Sequence, residues 1–464
     1  MKREMATGRL NYLSAVESIR LIERGEITAR ALVEDCLAQI GRLDQELQVW
    51  AYVSPDAGLA QAQAVDEKIK AGGRVGRLAG VLVGVKDIFN TKDMPTQMGS
   101  PIWKGFTPGN DARAVHYLRM ADAVLPGKTV TAEFAVHTPG PTRNPHDPRC
   151  TPGTSSSGSA AAVAAYMVPL ALGTQTAGST LRPASYCGIY GFKPSFGLIP
   201  RTGMLKTTDT LDTVGLFART VEDLGLFFDV VRVHGSDYPL SHDALNDPRR
   251  QTRGERPWKV ALVRGPKWDD AEDYAHRALW GYAEKLAQES DMIVEEAVLP
   301  DSFAEAHEVH SVIYDKALAY YFKNEFRQHT LISPLMYEII ARGNEIPPAV
   351  YQEALGRQDR LTRVFDDFVQ RYDVMLTLTT GGSAPRGLEA VDRPDTCLIW
   401  TLCGAAAVNV PAFSDGQGLP FGVQAVSRRY NDLLLLEFVK CLRDRGWAPE
   451  ATNPPPLLAQ EVPR

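Results

Sequence analysis

The sequence predicts an α/β protein, a β-sheet flanked by helices, and three observations carry that expectation. Short apolar runs alternate with helix-patterned stretches along most of the chain. Residues 260–263, a helical stretch near 270–289 and residues 293–296 read as a β-α-β passage. Ser159-Ala160-Ala161-Ala162-Val163-Ala164-Ala165 is a compact helix former, and Val168-Pro169-Leu170-Ala171-Leu172-Gly173 after it reads as a buried strand. Side chains that small imply that helix and strand pack with their backbones close together. No boundary in the sequence separates two domains, so one domain over 1–464 is expected.

The elements follow in order. Thr28 is the expected N-cap of a helix with Leu32, Val33, Cys36, Leu37 and Ile40 on one face. Residues 49–53 read as a strand and 57–70 as a helix closed by Gly72-Gly73. A strand over 81–85 delivers Lys86; 111–121 is helical and 123–125 a strand. Residues 137–158 form a Pro/Gly/Ser-rich loop, long enough that a functional role is expected of it. Residues 221–231 form an apolar helix, and the polar stretch 235–257 a surface loop or insertion. Helices are expected at about 302–327 and 347–371, strands at 374–378 and 421–426, and a closing helix over 433–442. The tail with Pro454-Pro455-Pro456 reads as extended surface chain.

Composition narrows the function classes. Of 464 residues, 44% are hydrophobic and 23% charged, the profile of an ordinary soluble globular protein. A formal net charge of −6 gives no reason to expect a nucleic-acid partner. Six scattered cysteines without a C-x-x-C pair suggest reduced thiols rather than a disulfide framework. The basic N-terminus lacks an apolar h-region, and no apolar run is long enough to span a bilayer. The expectation is a soluble cytoplasmic protein without a membrane partner, its state as monomer or homodimer left open.

The chemistry concentrates between Gly153 and Pro183. Gly153-Thr154-Ser155-Ser156-Ser157-Gly158-Ser159 opens this stretch and Gly173-Thr174-Gln175-Thr176-Ala177-Gly178-Ser179 closes it, ending at Arg182-Pro183. Small side chains there let backbone N–H groups converge on one point, as an oxyanion hole requires. A serine hydroxyl needs a base. No G-x-S-x-G elbow and no S-x-x-K occur, so a base remote in sequence is needed. Lys86, at the end of the apolar run Val81-Leu82-Val83-Gly84-Val85, is the candidate. It must be neutral near pH 7, which desolvation achieves. Asp87 should point to the opposite face and leave it unneutralised.

This stretch closely resembles the amidase signature family, whose wording is G-G-S-S-G-G-S, an Ala-rich helix, then G-T-D-T-G-G-S-I-R-x-P. Further matching wording is Gly127-Lys128-Thr129 with Glu133-Phe134-Ala135, Arg143-Asn144-Pro145, 188–194 and Ala218-Arg219-Thr220-Val221-Glu222-Asp223. The likeness covers roughly 70–230, with an echo at 418–422. It implies a single large mixed β-sheet with helices on both faces and a Ser–Ser–Lys triad. Ser179 matches the nucleophile and Ser155, 24 residues earlier, the bridging serine on a cis peptide bond; Lys86 matches the base. The backbone N–H groups of Thr176, Ala177, Gly178 and Ser179 would receive the oxyanion. Two-step acyl transfer follows, with no metal or organic cofactor.

Departures from the pattern raise further expectations. Thr154 and Ser157 replace glycines, and Ala177 replaces a glycine of the oxyanion loop, tolerable at negative φ. Gln175 and Leu181 stand where an Asp and an Arg are usual, reading as a neutral replacement of an ion pair; Arg182 is left unassigned. Gly127-Lys128-Thr129 lacks the P-loop glycine at Asp122, so nucleotide binding is rejected. His307 and His310 share a helix face but lack a third ligand, so no metal is expected. Tyr314, Tyr320, Tyr321 and Phe322 read as core. The implied substrate is a small carboxamide, anilide or carbamate, with specificity set in 137–150 and about 300–350. Three alternatives stay open. They are a glutaminase-type subunit of a tRNA-dependent amidotransferase, a hydrolase of urea derivatives such as biuret or allophanate, and a catalytically idle binding protein.

Overall fold

The computed structural model describes residues 9–235, 245, 247–389, 395–449 and 455. Eleven strands among them form one sheet: β1 Trp50–Val53, β2 Val83–Lys86, β3 Gly127–Thr129, β4 Leu170–Gln175, β5 Tyr190–Lys193, β6 Thr213–Ala218, β7 Trp258–Val263, β8 Met292–Ala297, β9 Val374–Leu378, β10 Ala406–Ser414 and β11 Pro420–Ser427. Their order is β1-β3-β2-β4-β6-β5-β10-β11-β9-β7-β8. β2 runs parallel to β3 and β4, and β7 parallel to β8 and β9; the remaining pairs are antiparallel. The expected single mixed sheet is therefore present, and the β7-helix-β8 passage lies where the sequence puts it. Alternation along β4 sends Leu170 and Leu172 into one core and Ala171 into the other, where it meets the alanines of the Ser157–Ala164 helix.

Several elements match closely. Thr28 caps the Ala29–Leu47 helix, its hydroxyl accepting from Ala31 N–H. The helix expected at 221–231 spans Val221–Val231. Other expectations need correction. Residues 123–125 are no strand: they hold only an isolated bridge between Leu82 and Val124, and the strand lies at Gly127–Thr129. Lys128 hid it, because a lysine in a three-residue strand reads as solvent-facing, yet this one is fully buried. β5, β6 and β10 also escaped notice. Gly191 and Gly215 interrupt the first two, and Pro411 lies where the register of β10 shifts. The expected 302–327 helix is divided into Asp301–Glu305, Ala306–Tyr321 and Lys323–Phe326. An additional Pro334–Glu345 helix starts at the Ser333 cap, with proline in its first turn. Of the 235–257 stretch, 236–244 and 246 lie outside the described residues, and Pro248–Gln251 is a helical turn. The tail lies outside them too, except Pro455, which is buried rather than on the surface.

The Ser157–Ala164 helix lies against the sheet because its side chains are minimal. Ser159 Oγ donates to the Leu172 carbonyl at 2.7 Å and lies 2.7 Å from Thr129 Oγ1, tying the helix to β4 and β3. A Cβ on Gly158 would fall 2.5 Å from the Val49 carbonyl oxygen and against the backbone nitrogen of Val130. Helix propensity alone would make Gly158→Ala stabilising by roughly 1 kcal/mol. Backbone overlap should reverse the sign, and urea unfolding is expected to show a loss of about 1–3 kcal/mol. A gain in stability would mean that the helix is free to move off the sheet.

Candidate active site

Strand β2 carries Lys86 to the sheet's interior edge, where it is fully buried. Its Nζ lies 2.8 Å from Ser155 Oγ, 2.9 Å from Ser156 Oγ and 2.8 Å from Thr174 Oγ1. No carboxylate among the described residues contacts it. Asp87 turns elsewhere, as strand alternation requires: its carboxylate receives Gln97 N–H and the Lys128 ammonium at 3.3 Å. Burial therefore drives the Lys86 amine well below the ordinary lysine value, opposed by a smaller pull from the Asp212 carboxylate.

Proton bookkeeping follows from these contacts. A neutral amine has two N–H bonds and one lone pair, so three hydroxyl neighbours cannot all accept from it. Ser156 accepts, because its own proton goes to the Thr174 carbonyl at 3.2 Å. Either Ser155 or Thr174 must then donate to the nitrogen. The Thr154–Ser155 peptide bond is cis, as the resemblance implied.

Ser179 follows β4 and is partly exposed; its carbonyl accepts from Ser156 N–H at 3.3 Å, tying its loop to the Ser155 turn. Thr176 and Ala177 are likewise partly exposed, and Ala177 keeps a negative φ. The N–H groups of Thr176, Ala177, Gly178 and Ser179 make no hydrogen bond among the described residues. The structure thus brings Lys86 and Ser155 into direct contact and ties the Ser179 loop, with its four unengaged N–H groups, to the neighbouring Ser156 through one backbone hydrogen bond.

Gln175 is not a partner of the Leu181 side chain, as expected of a neutral pair. Its Oε1 accepts from Thr180 N–H and Leu181 N–H, both at 3.0 Å, while Leu181 packs in an apolar cluster with Leu211 and Ala261. The amide thus serves the backbone ahead of the Leu181–Tyr186 helix. Arg182 is buried rather than solvated: it forms an ion pair with Asp395 and donates to the Thr154 carbonyl at 3.2 Å.

Sequence reasoning missed Ser156 and Thr174 as partners of Lys86, although both lie inside the signature stretch. It also missed Asp212, which receives the hydroxyls of Thr176, Thr207 and Thr208. No local pattern announces that residue. His307 and His310 hold no metal cluster among the described residues; each ring contacts a carbonyl, of Asp395 and Thr176 respectively. Tyr314 and Phe322 are core as expected, but Tyr320 is 67% exposed.

Comparison with known proteins agrees with this geometry. The amidase family model matches residues 31–436. This chain belongs to the amidase family. A glutamyl-tRNA(Gln) amidotransferase subunit from Streptomyces avermitilis is 32% identical, covering 90% of this chain and 92% of the relative. The subunit of the same name from Acidothermus cellulolyticus is also 32% identical, covering 89% and 90%. Among solved structures, an amidase superposes with a TM-score of 0.83 at 28% identity, over 93% of this chain and all of the other. A structure described as a vestigial complex revealing the origins of an s-triazine catabolic enzyme matches equally well, at 0.83 and 28%, over 94% and 99%. The amidase-family chain is accordingly an enzyme of carbon–nitrogen bond chemistry. None of its described helices is long and apolar enough to cross a membrane.

The state of the Lys86 amine has a measurable consequence. Its pKa is lowered in the folded state, against roughly 10.4 unfolded. Between the two values the unfolded chain holds the extra proton, so raising the pH favours folding. The stability difference between wild type and Lys86→Met should therefore shift toward wild type as pH rises from 6 to 9 in urea titrations. A difference that stays flat would mean that the folded amine is protonated throughout.

Proposed function

We propose that this enzyme hydrolyses the C–N bond of a small carboxamide, anilide or carbamate through an acyl-enzyme on Ser179. The observation that supports it best is the buried Lys86 amine, surrounded by hydroxyls and facing no contacting carboxylate. Such an amine is a base waiting for a proton rather than half of an ion pair. Ser155 donates to Lys86 and accepts the Ser179 proton as Ser179 Oγ attacks the carbonyl carbon. The oxyanion accepts from the N–H groups of Thr176, Ala177, Gly178 and Ser179. Collapse of the tetrahedral intermediate breaks the C–N bond, and Ser155 returns the proton to the departing nitrogen. Water then adds to the acyl carbon by the same route and frees the acid and Ser179. The whole chain works in this reading as one catalytic domain.

In this reading specificity comes from the two regions outside the signature, 137–150 and about 300–350, which meet at a buried aromatic cluster. His137, from the Pro/Gly/Ser-rich loop, meets Tyr314 edge-on at 5.8 Å, and Tyr314 stacks on His310 at 5.5 Å. Phe134 packs on Phe322 behind them. A glutaminase-type role within an amidotransferase is the second reading, favoured by the two relatives of that name. The chain purified alone should be offered aliphatic amides, anilides, aryl carbamates, ureas and glutamine. Turnover of amides or carbamates without any partner chain supports the first reading. Glutamine hydrolysis that depends on an added partner chain overturns it in favour of the second.

The relay can be tested separately. An amide nitrogen leaves poorly unless protonated, whereas a nitrophenolate leaves with little help. General acid–base assistance is typically worth about 10²–10⁴-fold. Ser155→Ala should lose amide turnover by that order and lose less on a nitrophenyl ester. Equal losses on both would remove the leaving-group role of Ser155. Wild-type turnover should fall as the pH drops and Lys86 takes up its proton; an acid limb unchanged in Lys86→Ala would exclude Lys86 as the base.

A further inference from the structure

Two of the carbonyls in the loop around Ser179 are held by groups from distant parts of the chain. Thr176 C=O accepts from His310 Nε2 at 2.9 Å, and Ala177 C=O accepts from Thr401 Oγ1 at 2.6 Å. Gly178 C=O accepts from Arg182 N–H at 2.9 Å, and Ser179 C=O from Ser156 N–H. A trans peptide unit is planar, with its C=O and N–H pointing in opposite directions. Fastening the Thr176 carbonyl therefore aims Ala177 N–H the other way, and fastening the Ala177 carbonyl aims Gly178 N–H. These are two of the four N–H groups left unengaged.

We infer that His310 and Thr401 are positioning residues that clamp these two peptide planes and thereby set the oxyanion hole. Neither side chain reaches the loop from nearby sequence: His310 comes from the Ala306–Tyr321 helix and Thr401 from the Leu398–Leu402 helix. Both are built in: His310 is 5% exposed and Thr401 fully buried. Thr401 is itself oriented: its oxygen accepts from Gln175 Nε2 at 3.0 Å, and of the two carbonyls its proton can reach, Ala177 lies at 2.6 Å and Cys397 at 3.4 Å. His310 is held by stacking on Tyr314. Burial pushes its pKa down to about 4, so at neutral pH the ring carries one N–H. That proton is on Nε2, since a carbonyl only accepts. Ala177, in place of a more mobile glycine, narrows the loop further. The clamp acts on charge that develops only in the transition state, so its loss should be read in kcat and not in KM.

This inference rests on the acyl-enzyme reading of Ser179. The variants are Thr401→Val, which keeps the shape and removes the hydroxyl, and Thr401→Ser, which restores it. His310→Leu and His310→Gln form the second pair, the glutamine placing an N–H near the position of Nε2. Removing a direct oxyanion donor typically costs about 10²–10³-fold in kcat. Loosening its aim should cost about 10–100-fold, with KM within roughly threefold of wild type. Fluorophosphonate labelling of Ser179 should slow in parallel. Ser and Gln are expected to recover most of the loss. Folded Val and Leu variants with wild-type kcat would overturn the clamp. So would losses that Ser and Gln fail to recover, or losses falling on KM. Ser179→Ala separates the two readings: retained turnover there overturns the acyl-enzyme, whereas full loss there with wild-type kcat in Thr401→Val overturns the clamp alone.

Discussion

An amine without a carboxylate, enclosed in a site that excludes water, can keep its proton only at a large cost in free energy. The surroundings of Lys86 are arranged around that constraint. Two other lysines, Lys128 and Lys193, are equally buried, and they show what decides the matter. Lys128 contacts Asp87, two carbonyls and the Thr96 hydroxyl, and burial lowers it only to about 8. Lys193 donates to the carbonyls of Pro194 and Ala405, with the Asp432 charge nearby, and also falls to about 8. Lys86 has hydroxyls in place of both carboxylate and carbonyls, and burial drives its amine well below the ordinary lysine value. Hydroxyls can accept from an amine or donate to it, so they tolerate the loss of its proton. A carbonyl cannot.

The elements around the site serve this arrangement. Strand β2 brings the amine inward, and the parallel pairing of β2 with β4, which sets Val85 opposite Leu172, leaves Thr174 two residues further along β4 with its hydroxyl 2.8 Å from the amine. The alanine helix lies low enough on the sheet for Ser156 at its N-cap and Ser155 just before it to reach Nζ. Bulkier residues there would lift that turn away. Pairing Asp87 with Lys128 satisfies both charges while keeping the carboxylate from Lys86. The result is a dry patch with one ionisable group and several hydroxyls, in which protons move over hydrogen-bond distances.

The loop that carries Ser179 is held from farther away. Gln175 joins β4 to the backbone ahead of the Leu181–Tyr186 helix and to Thr401. Arg182 and Asp395 press against Gly178, where a Cβ would lie 2.8 Å from the Asp395 carboxylate. Asp395 in turn accepts from Cys397 and Leu398 N–H, ahead of the short helix that carries Thr401. The C-terminal third of the chain, in which the signature has only a faint echo, therefore shapes the loop on which the chemistry depends.

Much of this protein could be read from its sequence alone. The α/β alternation, the small-residue helix, the strand ending in Lys86 and the stretch with Ser155 and Ser179 are local patterns, and side-chain size and periodicity encode them directly. Strands β3, β5, β6 and β10 were not legible, because a buried lysine, glycines and a proline contradict the usual strand pattern. Their pairing partners overrule local propensity. The partners of Lys86 were only partly legible: Ser155 stood in a recognisable stretch, while Ser156 and Thr174 looked like its filler. Asp212 and Thr401 carried no sequence signal at all, and His310 stood out only as half of a histidine pair without a third ligand. Each acts on the loop across a long separation in the chain, through one hydrogen bond or a few, and a contact of that kind leaves no periodicity behind. Only the assembled sheet, with β6 beside β4, and the C-terminal helices packed against the loop determine which polar side chain meets which carbonyl.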